Sequence, residues 1–241
     1  MQSLFDPFHV GYTVQVVIPT LNRPEGLERM LASVRRHRPD AECIVARERG
    51  PLPLIINGLF AMTTADIVIW AGDSCEWTAD VIGICYGSMA ERFPDLDGCI
   101  GLYQTNLDDL ENIREFCFMA VGRRFINRFP GAAVFCPLYD HFCGDTELGL
   151  YAKSLGRFHY ERAATCLHHI PGFSPLASVD ATHLRSHRAA GQDLALYESR
   201  QKSGILWGQQ FENENEPQRE VWRTSAAAAQ GRWSTTERTD A

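Results

Sequence analysis

The sequence predicts an α/β fold, a mostly parallel sheet flanked by helices with a helical segment toward the C-terminus. Three observations predict it. Short β-branched runs bounded by turn residues recur early in the chain, VQVVIP (Val14–Pro19), CIVA (Cys43–Ala46) and DIVIWA (Asp66–Ala71), and such runs read as buried strands of a parallel sheet. An amphipathic helical stretch separates the first two, which makes the opening a strand–helix–strand unit. The third run breaks at Gly72 and presents Asp73, Ser74, Cys75 and Glu76. That is the carboxyl end of a strand, where ligands of open α/β sheets bind.

Each element follows from its residues. Pro24 stands near the first position of the first helix, where its missing N–H costs little. Leu27, Met30, Leu31 and Val34 repeat at i, i+3, i+4, i+7 over Glu25–His37, the pattern of one buried face. Arg35, Arg36, His37 and Arg38 suit the negative end of its dipole, and Pro39 stops it. Arg47-Glu48-Arg49-Gly50 is a polar loop after the second strand. Leu54–Met62 is a second helix, Thr78–Arg92 a third, and Cys99–Leu102 a strand. Asn106–Glu115 is acidic and weakly patterned. Phe116–Val121 is apolar and strand-like, Gly122–Phe129 a short helix, and Phe135–Cys143 irregular and aromatic. Gly144–Leu155 is a helix, Phe158–Leu167 a strand ending at His168-His169, and Ser178–Ser203 a helix. After about Phe211 the sequence turns polar and weakly patterned, the composition of a flexible tail or of one ordered by a partner.

Size and composition narrow the function. The chain has 241 residues, 45% of them hydrophobic, with a net charge of −7. That length buries roughly 70–75% of the unfolded surface and fits one domain, residues 1–211, followed by a tail at 212–241. The acidic balance argues against a broad nucleic-acid-binding field. No apolar run approaches the ~20 residues that span a bilayer, and the N-terminus lacks the layout of a secretory signal, so cytoplasmic residence is the expectation. Eight cysteines include no C-x-x-C pair and read as small buried hydrophobes. A zinc site from Cys136, Cys143, Cys166 and His169 is the alternative, although its spacing matches no standard finger.

Three segments, in order and spacing, resemble family 2 glycosyltransferases, which have the GT-A fold. VQVVIPTLNRPEGLERMLASV resembles their first strand and helix. IINGLFAMTTADIVIWAGDSCEW resembles the helix and strand that lead to their Asp-x-Asp motif. GDTELGLYAKSLGRFHYERAATCLHH resembles their acceptor-side motif, its helix and a later metal-binding histidine. The resemblance covers about Val14–His169. It implies a nucleotide-binding part at about 12–105 and an acceptor part at about 106–211. It also implies a nucleotide-diphosphate-sugar donor, Mn²⁺ or Mg²⁺ as cofactor, and, in inverting members, a carboxylate base that deprotonates the acceptor hydroxyl. The chemistry is consistent with this: a diphosphate leaving group needs neutralising charge, and a hydroxyl nucleophile needs a base.

Carried over residue by residue, the resemblance places Pro19, Thr20, Asn22 and Arg23 beside the nucleotide, with Asn57, Gly72 and Asp73. Asp73 matches one acid of Asp-x-Asp; the second is missing, with Glu76 three residues on as its substitute. Arg47-Glu48 occupy the loop that reads the nucleobase in the family, so base identity does not carry over, and Arg47 or Arg49 is a candidate phosphate contact. Asp145 matches the general base and Glu147 is second; their plain reading is a pair of acids favoured in a first helical turn. His169, chosen over His168, is with Asp73 the implied metal ligand. Trp77 reads as a rim aromatic or a sugar-stacking one. His183, Arg185, His187 and Arg188 read as a solvated helix face or as an anion contact. The acceptor stays open among a glycan, a protein and a hydroxymethylated DNA base of a bacteriophage. The competing readings are a non-catalytic GT-A domain that binds nucleotide sugar or a partner, and the zinc module.

Overall fold

The computed structural model describes residues 11–21, 23–107, 115–211 and 237–239. One eight-stranded sheet organises the chain, in the order β4-β7-β5-β6-β3-β1-β2-β8. Its strands are β1 (Val14–Pro19), β2 (Glu42–Ala46), β3 (Ile67–Trp70), β4 (Cys75–Trp77), β5 (Cys99–Gln104), β6 (Met119–Gly122), β7 (Phe158–His168) and β8 (Glu237–Thr239). Among the described residues the α-helices are α1 (Pro24–His37), α2 (Leu52–Met62), α3 (Val81–Arg92), the single turn α4 (Arg123–Ile126), α5 (Gly144–Ser154) and α6 (Ala181–Lys202).

Strand direction decides where the site lies. β1 runs parallel to β2 and β3, and β5 parallel to β7. β6 is antiparallel to both β3 and β5, so β5 and β7 point the same way as β1–β3. Five strands therefore end at one edge, and β4, β6 and β8 run against them. The inward faces match the apolar runs: β3 is buried along its whole length, and α1 buries Leu27, Met30, Leu31 and Val34 as its spacing predicts.

Two departures from the sequence reading concern short elements. The third helix starts at Val81 rather than Thr78, and Cys75–Trp77 is a strand paired antiparallel to β7. Three residues are too few to show a period, and their partners lie about ninety residues away. Within the polar C-terminal stretch, Glu237–Thr239 pair antiparallel with β2, while 212–236 lie outside the described residues. Most of the acidic Asn106–Glu115 stretch does as well.

Candidate functional site at the carboxyl edge of the sheet

Because β1, β2, β3, β5 and β7 end together, the residues at or just after their ends meet at one edge: Thr20, Arg47, Asp73, Gln104 and His168. Asp73 is buried, and its Oδ2 accepts a 2.7 Å hydrogen bond from the Thr20 hydroxyl. Arg23 Nη1 lies 3.5 Å from its Oδ1. Burial raises the Asp73 pKa, against the lowering pull of Thr20 and Arg23. α1 comes close because residue 26 is glycine; a Cβ there would stand 2.8 Å from the Asp73 carbonyl oxygen.

Arg23 has further partners. Its Nε and Nη2 donate to the two oxygens of Asp180 at 2.7 and 3.0 Å, and Nη2 lies 2.9 Å from His183 Nδ1. Asp180 is the N-cap of α6 and forms a capping box with His183. The Arg23 hydrogen bonds hold the Asp180 carboxyl well below the usual carboxylate range. Burial and the neighbouring guanidinium lower the His183 pKa. The basic stretch that opens α6 is therefore drawn into the site through His183, and Arg185 donates to the carbonyl of Gly50 and to Asp140.

On the far side of the edge, β4 places Glu76 beside His169, with Nε2 3.0 Å from Oε2, while Nδ1 lies 2.7 Å from the Ser174 hydroxyl. The His169 backbone N–H donates to the Ser74 carbonyl, so the loop that carries Asp73 and the end of β7 are joined. Asp73 and His169 do not fit a metal ion in this arrangement. Asp73 is taken by Thr20 and Arg23, and both His169 ring nitrogens have partners. Among the described residues, no three His, Cys, Asp or Glu side chains gather as ligands. That result also sets aside the zinc grouping of Cys136, Cys143, Cys166 and His169; all eight cysteines are free thiols.

His168, the neighbour not chosen, is held by Gln104 at 2.7 Å and stacks edge-on against Phe118. Burial, with His169, Arg23 and His183 nearby, pushes its pKa down to about 4, so it stays neutral.

α5 leads into the start of β7, so its own start lies at the ligand edge. Asp145 sits in that first turn, half-buried, accepting from the Thr146 N–H at 2.7 Å. Among the described residues no cation pairs with it, and burial pushes its pKa up to about 6. Burial, with the Asp145 charge adding to it, raises the pKa of Cys117, two residues before β6. Glu147, the second candidate, is placed elsewhere. Two positions on, it turns to the opposite side of the helix, is fully buried and pairs with Arg200 of α6 at 2.9 Å.

The remaining candidates divide. Pro19 ends β1 at the edge, and the Thr20 N–H donates to the Ala46 carbonyl. Arg47 is exposed. Glu48 has a buried Oε1 without a hydrogen-bond partner, an acceptor suited to an N–H. Gly72 lies against Phe118. The Asn57 amide exchanges two 2.8 Å hydrogen bonds with the Phe135 backbone. Asn22 lies outside the described residues. Trp77 is a core residue, 1% exposed, and not a sugar platform. Sequence reasoning missed Asp180 and Asp193. Asp180 had a signal, a capping residue directly before a helix; Asp193 lies inside a helix and had none.

No protein-family model and no curated protein matches the chain. Solved structures do. Glucosyl-3-phosphoglycerate synthase from Mycobacterium tuberculosis, in complex with Mn²⁺, UDP and glucosyl-3-phosphoglycerate, aligns with TM-score 0.56 at 13% identity, over 85% of this chain and 86% of that one. A mannosyltransferase from Pyrobaculum calidifontis, in complex with GDP-mannose and Mn²⁺, aligns with TM-score 0.51 at 15% identity, over 93% of this chain and 88% of that one. The architecture is thus the GT-A fold of nucleotide-sugar glycosyltransferases. At these identities the likeness establishes the fold.

Proposed function

We propose that the chain is a glycosyltransferase that moves a sugar from a nucleotide-diphosphate sugar to an acceptor hydroxyl with inversion, using Asp145 as general base. The observation that carries this reading is the Asp145 carboxyl, held without a counter-ion at the ligand edge with its pKa near 6. At neutral pH it is mostly ionised yet still basic enough to take a proton as the transition state forms. In one displacement the acceptor oxygen bonds to the anomeric carbon, the bond from that carbon to the diphosphate oxygen breaks, and the hydroxyl proton passes to Asp145. Arg47, exposed after β2, is the chain's own cation for the departing diphosphate, and Glu48 Oε1 accepts from a nucleobase N–H. No step is assigned to a metal, since Asp73 and His169 are already engaged. Eight free thiols agree with a reducing compartment, and we place the protein in the cytoplasm. Among the described residues no helix is long and apolar enough to cross a membrane.

The test is a thermal-shift screen of UDP, GDP and TDP and their sugars, followed by turnover of the donor that binds. Asp145→Asn should keep the nucleotide-dependent shift and lower transfer by about 10²–10⁴-fold. Undiminished transfer in that variant would show that another group takes the proton. A second reading, a GT-A domain that binds donor without turnover, draws on the occupied Asp73 oxygens. Donor binding with no hydrolysis or transfer by the unaltered chain would favour it.

A further inference from the structure

We propose that the segment Leu138–Phe142 is an acceptor platform and that its acceptor is an uncharged carbohydrate, one ring of which lies on the Phe142 face. The inference rests on the glycosyl-transfer reading and names its acceptor class. Three features of the segment carry it.

The first is its fixed shape. Asp193 of α6 is buried, and its carboxylate accepts from three successive backbone N–H groups, those of Asp140, His141 and Phe142, at 2.9, 2.8 and 2.8 Å. The Asp140 carbonyl accepts from the Leu52 N–H. Three consecutive main-chain donors on one carboxylate leave the segment little freedom.

The second is what the fixed backbone presents. Tyr139 is 1% exposed, yet Leu138 on one side is 54% exposed and Phe142 39%. Single exposed apolar side chains are ordinary. Phe142 stands on the clamped backbone three residues before the proposed base, and Leu138 two residues before the clamp begins. Cys143, at φ 70°, turns the chain between Phe142 and α5. Arg185 ties the segment to the loop after β2, donating to Asp140 and to the Gly50 carbonyl.

The third is charge. Asp140 lies within the segment, Asp193 holds its backbone and Asp145 follows three residues after its end, while the Arg185 guanidinium is taken by Asp140 and the Gly50 carbonyl. A phosphate, carboxylate or nucleic-acid acceptor meets repulsion here. A neutral sugar does not: its C–H face suits the electron-rich face of a phenyl ring, and its hydroxyls donate to carboxylates.

The test uses the labelled full chain on an array of neutral, sialylated, sulfated and phosphorylated saccharides and single-stranded oligonucleotides. Signal should concentrate on neutral saccharides. Phe142→Ala should weaken it about three- to tenfold with little change in melting temperature, and Phe142→Trp should restore it. Stronger signal on the anionic features, or no change in Phe142→Ala, would overturn the proposal. A parallel thermal shift with UDP and GDP separates the two readings: saccharide binding without any nucleotide shift refutes the transfer reading and, with it, the acceptor role, and leaves a saccharide-binding surface at Phe142.

Discussion

Asp145 shows how a site residue is made at the cost of stability. Its ordinary carboxyl pKa of 3.8 is raised to about 6 by burial, so the folded chain binds this proton more tightly than the unfolded one. The sign follows: below about pH 4 both states hold the proton, and as pH rises through 6 the folded state loses up to about 3 kcal/mol relative to the unfolded one. Asp145→Asn removes that penalty. At pH 8 it should raise the melting temperature by roughly 5–10 °C, and at pH 4 the gain should vanish. A gain of equal size at both pH values would mean the side chain is not ionising in the fold. In the unaltered chain, transfer should fall about tenfold per pH unit below 6.

At the scale of elements, α6 shapes the acceptor loop through one side chain. Replacing Asp193 by Ala strands three backbone N–H groups, each costing about 1 kcal/mol even after partial re-solvation. Loss of about 3 kcal/mol is expected, together with faster hydrogen exchange at residues 140–142. If those amides stay protected, the loop is held by other contacts. This element also marks what the sequence could and could not reveal. The helices α1 and α5 and the strands β1, β2, β3 and β7 were legible because each carries its own period or punctuation. Asp73 and Asp145 were legible because strand ends and helix starts fix where an acid goes. The Asp180 and Asp193 contacts were not, because their partners lie 157 and about fifty residues away. The partners of Glu147 and Asn57 were hidden for a related reason. Residue type says a side chain is polar, whereas only packing says that Arg200 or the Phe135 backbone consumes it.

Across the whole molecule, Arg23 is the tie. A residue from the first loop binds Asp73 after β3 and the cap of α6, so the beginning, middle and end of the described chain meet on one guanidinium. Asp73 and Asp180 together carry more negative charge than Arg23 neutralises, and the arginine is what stands on Asp73. Removing it in Arg23→Ala leaves Asp73 with the Thr20 hydroxyl and Asp180 with His183 but takes the guanidinium from both acids, which opens Asp73 to a cation. Mn²⁺ alone, at about ten times its Kd, should then raise the melting temperature of the variant by roughly 3–5 °C, while the unaltered chain, without nucleotide, should not respond. Arg23→Lys keeps a charge but not the two-pronged grip on Asp180, so it should stay insensitive to Mn²⁺ yet show faster exchange at Ala181–Leu184. An equal Mn²⁺ response in all three proteins would mean that Arg23 does not occupy the cation's place, and that Asp73 is free to bind metal in the unaltered fold.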